Sequence, residues 1–175
     1  MSKNTRITTI GVIGPSEFHC SNEIYDFAFK LGKMIADMGY TVVCGGLGGT
    51  MEAVCKGAHS SEKYKPGMTI GILPSADKST ANEFVDIVIP TGLGFARNTL
   101  VVNSADVVVA LGGGSGTLSE IAFAWQMHRP IICFDGFDGW SKELADRKLD
   151  ERREKPIFRA SSLEEIRNLI EEILS

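Results

Sequence analysis

The chain has 175 residues, 43% of them hydrophobic and 23% charged, which suits one soluble globular domain with a substantial core. Eighteen basic against 22 acidic side chains leave a formal net charge of −4. That balance argues against a nucleic-acid binder held by bulk electrostatics, but not against a small anion held by backbone amides. Residues 1–6 are polar with no apolar signal core, and no run of about 18 apolar residues occurs, so a cytoplasmic protein without membrane contact is expected.

Residues 7–13 form a β-branched run that predicts a first strand, ended by the turn Gly14-Pro15-Ser16. Ser21 or Asn22 is placed to cap a helix whose Ile24, Phe27, Ala28, Leu31, Ile35 and Met38 share one face. Gly39 is its stop signal. Residues 40–44 predict a second strand. Gly45-Gly46-Leu47-Gly48-Gly49-Thr50-Met51-Glu52 then runs from glycine turn into helix. The loop 60–67 leads to a third strand over 68–73, closed by Pro74. After an irregular polar stretch, residues 86–89 predict a fourth strand, closed by Pro90, and a helix is expected near Phe95.

Residues 106–111 predict a fifth strand, and its apolar run from Val107 to Leu111 suits a strand covered on both faces. Gly112-Gly113-Gly114-Ser115-Gly116-Thr117-Leu118-Ser119-Glu120 follows as a second glycine turn into a helix. Thr117 with Glu120 reads as a capping box. Leu118, Ile121, Ala122 and Trp125 form the buried stripe of that helix. Residues 130–134 predict a sixth strand. The mixed charges of 142–155 read as solvated surface. Ile157-Phe158 is a short last strand, and Ser162 with Glu165 caps a last helix carrying Leu163, Ile166, Leu169, Ile170 and Ile173.

Strands alternating with helices predict an α/β fold: a single-domain, Rossmann-like, doubly wound parallel sheet of about six or seven strands, helices on both faces, spanning 1–175. Ligands of such sheets bind outside the carboxyl ends of the strands, where the winding reverses. With the common strand order, the first and fourth strands flank that crevice and the second and fifth lie beside them. Turns 14–16, 45–50, 91–94 and 112–117 would then ring one pocket. The start of the helix after 112–117 carries free N–H groups and the positive end of a dipole, a seat for a phosphate. Arg97 would add charge, and Glu120 would reach a sugar or a developing cation. The alternatives on sequence are plain tight turns, a Glu120 that only caps, and a solvated Arg97. No Gly-Lys-Ser/Thr phosphate loop is present, and Gly14-Pro15-Ser16 lacks the dinucleotide glycines.

The four cysteines, at 20, 44, 55 and 133, form no Cys-x-x-Cys pair. Cys44 and Cys133 read as core thiols. Cys55 and His59 share a helix face without further converging ligands, so no metal site is expected.

The segment Gly113-Gly114-Ser115-Gly116-Thr117-Leu118-Ser119-Glu120 resembles the Pro-Gly-Gly-x-Gly-Thr-x-x-Glu motif of the "lonely guy" phosphoribohydrolases, once labelled possible lysine decarboxylases, and of the related molybdenum-cofactor carriers. The resemblance implies that Gly113 to Thr117 hold a 5′-phosphate and that Glu120 contacts the ribose. It matches Arg97 to the arginine of the family's Met-x-x-Arg-Lys segment, and Gly45 to Met51 to an earlier turn lining the nucleotide pocket. The departures are Gly112 for proline, Asn98 for lysine, Gly94 for methionine, and Glu52 for glycine. They lean toward the carrier-like branch. The implied site is therefore Arg97 and Glu120 as catalytic pair, with Gly14, Ser16, Gly45, Gly46, Gly48, Gly49, Thr50, Met51, Asn98, Gly112, Gly113, Gly114, Ser115, Gly116 and Thr117 around a phosphorylated nucleotide or molybdopterin. The implied functions are ligand carriage or cleavage of the N-glycosidic bond of AMP-like substrates, in a homodimer or homotetramer. Lysine decarboxylation is rejected, since it needs an electron sink such as pyridoxal phosphate and no lysine stands at the glycine turns.

Overall fold

The apolar runs form seven strands: β1 (Thr9–Ile13), β2 (Thr41–Cys44), β3 (Thr69–Leu73), β4 (Ile87–Pro90), β5 (Val107–Leu111), β6 (Ile131–Phe134) and β7 (Phe158–Ala160). They pair in parallel throughout, in the order β4-β3-β2-β1-β5-β6-β7. The structure is a computed structural model that describes residues 6–175, so residues 1–5, and the reading made of them, lie outside the described part. The helices are α1 (Asn22–Asp37), α2 (Thr50–His59), α3 (Asn98–Asn103), α4 (Ser115–Gln126), α5 (Trp140–Leu144) and α6 (Leu163–Leu174). None of the described helices is long and apolar enough to cross a membrane.

The sheet is Rossmann-like and doubly wound, as the alternation of elements predicts. Every residue of β5 is buried, because helices cover it on both sides. On one face α1, α2 and α6 bring Ala28, Leu31, Ile35, Val54, Ile166 and Ile170 against Ile10, Val42 and Val109. On the other, α3 and α4 bring Val101, Val102, Ile121, Ala124 and Trp125 against Val43, Val108 and Cys133. Each fully buried aliphatic side chain in these layers contributes about 2 kcal/mol of transfer free energy.

The strand order corrects one expectation. The fourth strand does not flank the crevice; it forms the far edge of the sheet, paired to β3 alone. Its residues fit an edge: Ile87 and Ile89 remain 44% and 42% exposed, and Pro90 has no N–H to give a further neighbour. The winding reverses between β1 and β5, so the crevice is bordered by the turns after β1, β2, β5 and β6. From β4 the chain returns across one face through a 3₁₀ turn, Gly94–Arg97, and α3. A helix expected near Phe95 is thus a tight turn first and an α-helix only from Asn98.

Three end signals behave as their residue types require. Ser21 Oγ accepts from Ile24 N–H at 3.3 Å. Gly39 takes φ +82° just past α1, a conformation that suits glycine at a helix end. Ser162 Oγ accepts from Glu165 N–H at 3.1 Å, while the Glu165 carboxylate accepts from Ser161 N–H at 2.6 Å. The capping box expected at Thr117 and Glu120 is not formed. α4 starts three residues earlier, with Gly114 in the cap position and no side-chain cap bond. Thr117 is therefore inside the first turn, and Glu120 lies in the second, free to face elsewhere.

Candidate functional site

Several segments meet over the β1–β5 junction and enclose a cavity of about 710 Å³, within the size range of small-molecule sites. Gly14 and Ser16 come from the turn after β1, and Gly45 and Met51 from the β2–α2 connection. The start of α4 contributes Gly113, Gly114, Ser115, Gly116 and Thr117. Arg97 and Asn98, delivered by the crossover from β4, and Glu120, from the second turn of α4, complete the set of expected residues that the fold brings together.

The start of α4 is open. Its first backbone bond back is from Leu118 N–H to Gly114 O at 3.0 Å, so the N–H groups of residues 115–117 are the unpaired donors of a helix start. Gly113 makes this possible: its φ is +87°, and a Cβ there would collide with the Thr117 hydroxyl. The turn is held from behind by the loop after β6. Trp140 N–H and Ser141 N–H donate to Gly113 O and Gly112 O, both at 3.0 Å, and Ser141 Oγ donates to Phe134 O at 2.7 Å. The carbonyls of the turn are thus engaged with the scaffold while the following amides face the cavity.

Arg97 and Glu120 approach each other at the inner end. Arg97 Nη1 lies 3.6 Å from Glu120 Oε1, with both side chains about nine-tenths buried. The same nitrogen donates to Asn98 Oδ1 at 2.7 Å, and Asn98 Nδ2 donates to Ser119 Oγ at 3.1 Å. Ser119 Oγ in turn donates to Gly116 O at 2.7 Å, linking the guanidinium to the α4 start. Arg97 Nε is buried with no partner among the described residues, so the guanidinium is only partly satisfied within the protein. Burial pushes the Glu120 carboxyl up to about 7, against the opposing pull of Arg97. Burial also lowers Arg97, and Glu120 partly restores it. A carboxyl that titrates near neutrality beside a fixed cation can hold or release a proton at physiological pH.

Five expected residues stand outside the cavity lining, in the walls. Gly46 backs onto β3, where a Cβ would lie 2.8 Å from Leu73 Cδ2. Gly48 and Gly49 pack on the 15–17 segment; a Cβ on Gly49 would lie 2.7 Å from Glu17 N. Thr50 is fully buried, and its N–H donates to Pro15 O at 3.2 Å. Gly112 lies beneath Asp138 O. Glu52, one of the departures, faces α1 and accepts from Tyr25 Oη at 2.8 Å.

Conversely, His19, Ile24, Pro74, Phe95 and Asp138 line the cavity without having been expected there, while Pro15, Leu47 and Gly94 come from turns expected to ring it. His19 and Asp138 lie in loops that follow β1 and β6. The available signal was position after a strand at the carboxyl edge, unaccompanied by any motif. Trp125 is core at 1% exposure, while Phe95 is 90% and Met127 39% exposed.

Residues 7–167 match the model of the SLOG cluster4 family. The chain is 32% identical over 139 residues to a cytokinin riboside 5′-monophosphate phosphoribohydrolase of Mycobacterium marinum, covering 71% of this chain and 72% of that protein. Among solved structures it resembles the molybdenum cofactor binding protein of Rippkaea orientalis, with 40% identity, TM-score 0.85, and 97% and 99% of the two chains covered. It also resembles the molybdenum cofactor carrier protein of Chlamydomonas reinhardtii, with 31% identity, TM-score 0.81, and 95% and 98% covered.

Proposed function

This chain belongs to the SLOG cluster4 family, and from that premise we propose that it binds a phosphorylated nucleotide or pterin-type cofactor in the cavity between β1 and β5. The observation that carries the reading is the convergence of the free α4 start and the buried, partly unpaired Arg97 on one cavity. Backbone N–H groups 115–117 take the phosphate, and Arg97 adds a fixed charge beside it. The cavity is larger than a phosphate needs and leaves room for the rest of a mononucleotide-sized ligand. Likeness to molybdenum cofactor binding and carrier proteins supports the pterin branch of this reading. The cofactor is then cargo, held by its phosphate.

Calorimetry with ribose 5-phosphate, AMP and a phosphorylated pterin tests it. At least one probe is expected to bind, and Gly114→Asp is expected to weaken it about tenfold or more by setting a carboxylate against the phosphate. Gly114 has open space around its Cα, so the fold is expected to survive. Absence of binding by the unmutated protein to all three probes overturns the proposal.

A second reading rests on the Glu120 carboxyl near neutrality beside Arg97 and on the likeness to the phosphoribohydrolase. Cleavage of an N-glycosidic bond develops positive charge on the ribose, and Glu120 stabilises it or orients water. Release of adenine and ribose 5-phosphate from AMP, abolished in Glu120→Gln, would establish turnover. Binding without release would leave carriage alone.

A further inference from the structure

The cavity has two kinds of lining. The α4 start, Arg97, Asn98 and Glu120 supply polar groups, while Leu47, Pro74, Ile24, His19 and Phe95 supply aliphatic and ring side chains. Phe95 is 90% exposed and His19 is exposed as well, although both line the cavity. Phe18 is 93% exposed and does not line this cavity; Phe95 differs in standing at it.

The backbone under Phe95 is fixed. Thr91 Oγ1 donates to Leu73 O at 2.6 Å, Gly94 N–H donates to Pro74 O at 3.0 Å, and Leu93 N–H donates to Thr91 Oγ1 at 3.2 Å. Two residues on, Arg97 is buried in the site. The same 3₁₀ turn therefore sends one side chain inward to charge and keeps another at the opening. His19 closes a comparable turn, its N–H donating to Ser16 O at 3.0 Å. That turn leads into α1 on one face of the sheet, whereas the turn carrying Phe95 leads into α3 on the other. The two rings thus belong to the two lips of the cleft.

We propose that Phe95 and His19 form a ring-reading subsite, which takes the flat heteroaromatic part of the ligand while the α4 start takes its phosphate. The inference rests on the phosphate-binding reading and adds which residues select the rest of the molecule. A planar base or pterin offers a π-face to Phe95 whatever its edge substituents. The subsite therefore selects for ring-bearing phosphates over bare sugar phosphates, and tolerates variation in the ring.

The test is calorimetric titration of the full chain, Phe95→Ala, Phe95→Trp and His19→Ala with AMP, a phosphorylated pterin and ribose 5-phosphate. The unmutated protein is expected to bind a ring-bearing probe more tightly than ribose 5-phosphate. Phe95→Ala is expected to weaken that probe about tenfold and to leave ribose 5-phosphate within about twofold. Phe95→Trp is expected to retain binding, its new indole being quenched by the ring-bearing probe. His19→Ala is expected to produce a smaller loss of the same selectivity. Equal affinities for all three probes in the unmutated protein, or a Phe95→Ala loss shared by ribose 5-phosphate, overturns the subsite and leaves phosphate binding standing. Failure of the unmutated protein to bind any probe overturns the functional reading beneath it.

Discussion

The two glycine turns look like one device in the sequence, and the fold uses them in opposite ways. After β5, the turn has its carbonyls tied down by Trp140 and Ser141 and its following amides left open to the cavity. After β2, the turn is pressed against the 15–17 segment, and the first amide of α2 is taken by Pro15 O. One set of glycines exposes backbone to a ligand, and the other lets two pieces of backbone touch. Gly45 combines the two duties, since it lines the cavity and a Cβ there would run into the Arg97 guanidinium. Glycine clustering after a strand therefore signals close approach of something to the backbone, without saying whether that something is foreign or the chain's own.

The comparison can be broken by the same methyl group placed in each turn. Gly49→Ala is expected to destabilise the fold by about 3 kcal/mol or more, through strain at positive φ and collision with Glu17 backbone. A clear fall in the urea midpoint checks this, and an unchanged midpoint would mean that the turn is not packed as described. Gly49 has φ +70°, so no rotation of the new side chain relieves the strain.

A second expectation concerns Glu120, which belongs to the open turn's helix. Its carboxyl titrates near 7 in the folded state against the ordinary 4.5. Between those values the folded chain keeps a proton that the unfolded chain has lost. Stability is thus expected to fall as pH rises from about 4.5 to about 7, by an amount of the order of 3 kcal/mol, and to stay low above that. Glu120→Gln removes this slope, whatever constant offset the altered Arg97 contact adds. Urea unfolding of both proteins at pH 5 and pH 8 checks it; parallel behaviour would place the carboxyl in an ordinary environment.

The smallest effect is expected at Gly116→Ala. A Cβ there meets nothing within 4 Å, and alanine suits the first turn of a helix better than glycine. The melting temperature should hold or rise, by up to about 1 kcal/mol in stability. Binding of the phosphorylated probe should weaken, because the methyl enters the phosphate seat. A stability loss matching that of Gly49→Ala would erase the distinction between the two turns.

Much of this was legible in the residues. The strands announced themselves through apolar runs, and both Arg97 and Glu120 arrive in one cavity as the motif implies. The misplaced fourth strand shows where reading fails. A five-residue run such as Asp86-Ile87-Val88-Ile89-Pro90 tells of a strand, while its neighbour is chosen by long-range packing. The terminal proline was the local hint of an edge. At the start of α4, Thr117 and Glu120 have capping-box spacing, but the glycines allow the helix to begin at Ser115, and the pair shifts inward to face the cavity. The 142–155 run was read as solvated surface, yet Arg153 donates to the carbonyls of Ala124, Trp125 and Arg129 and lies over the Trp125 ring. Charge composition alone does not reveal a cation that finishes the end of a neighbouring helix.

The strand order gives Arg97 a long errand. It travels from the outermost strand, whose isoleucines remain half in water, back to the middle of the sheet. Edge strands open more readily than central ones, so the chain leading to the cation leaves the part of the sheet that opens first, while the α4 amides start from its centre. A molecule held by both would act as a tether between rim and centre. Occupancy would then slow hydrogen exchange along β4, a strand that contributes no residue to the cavity itself.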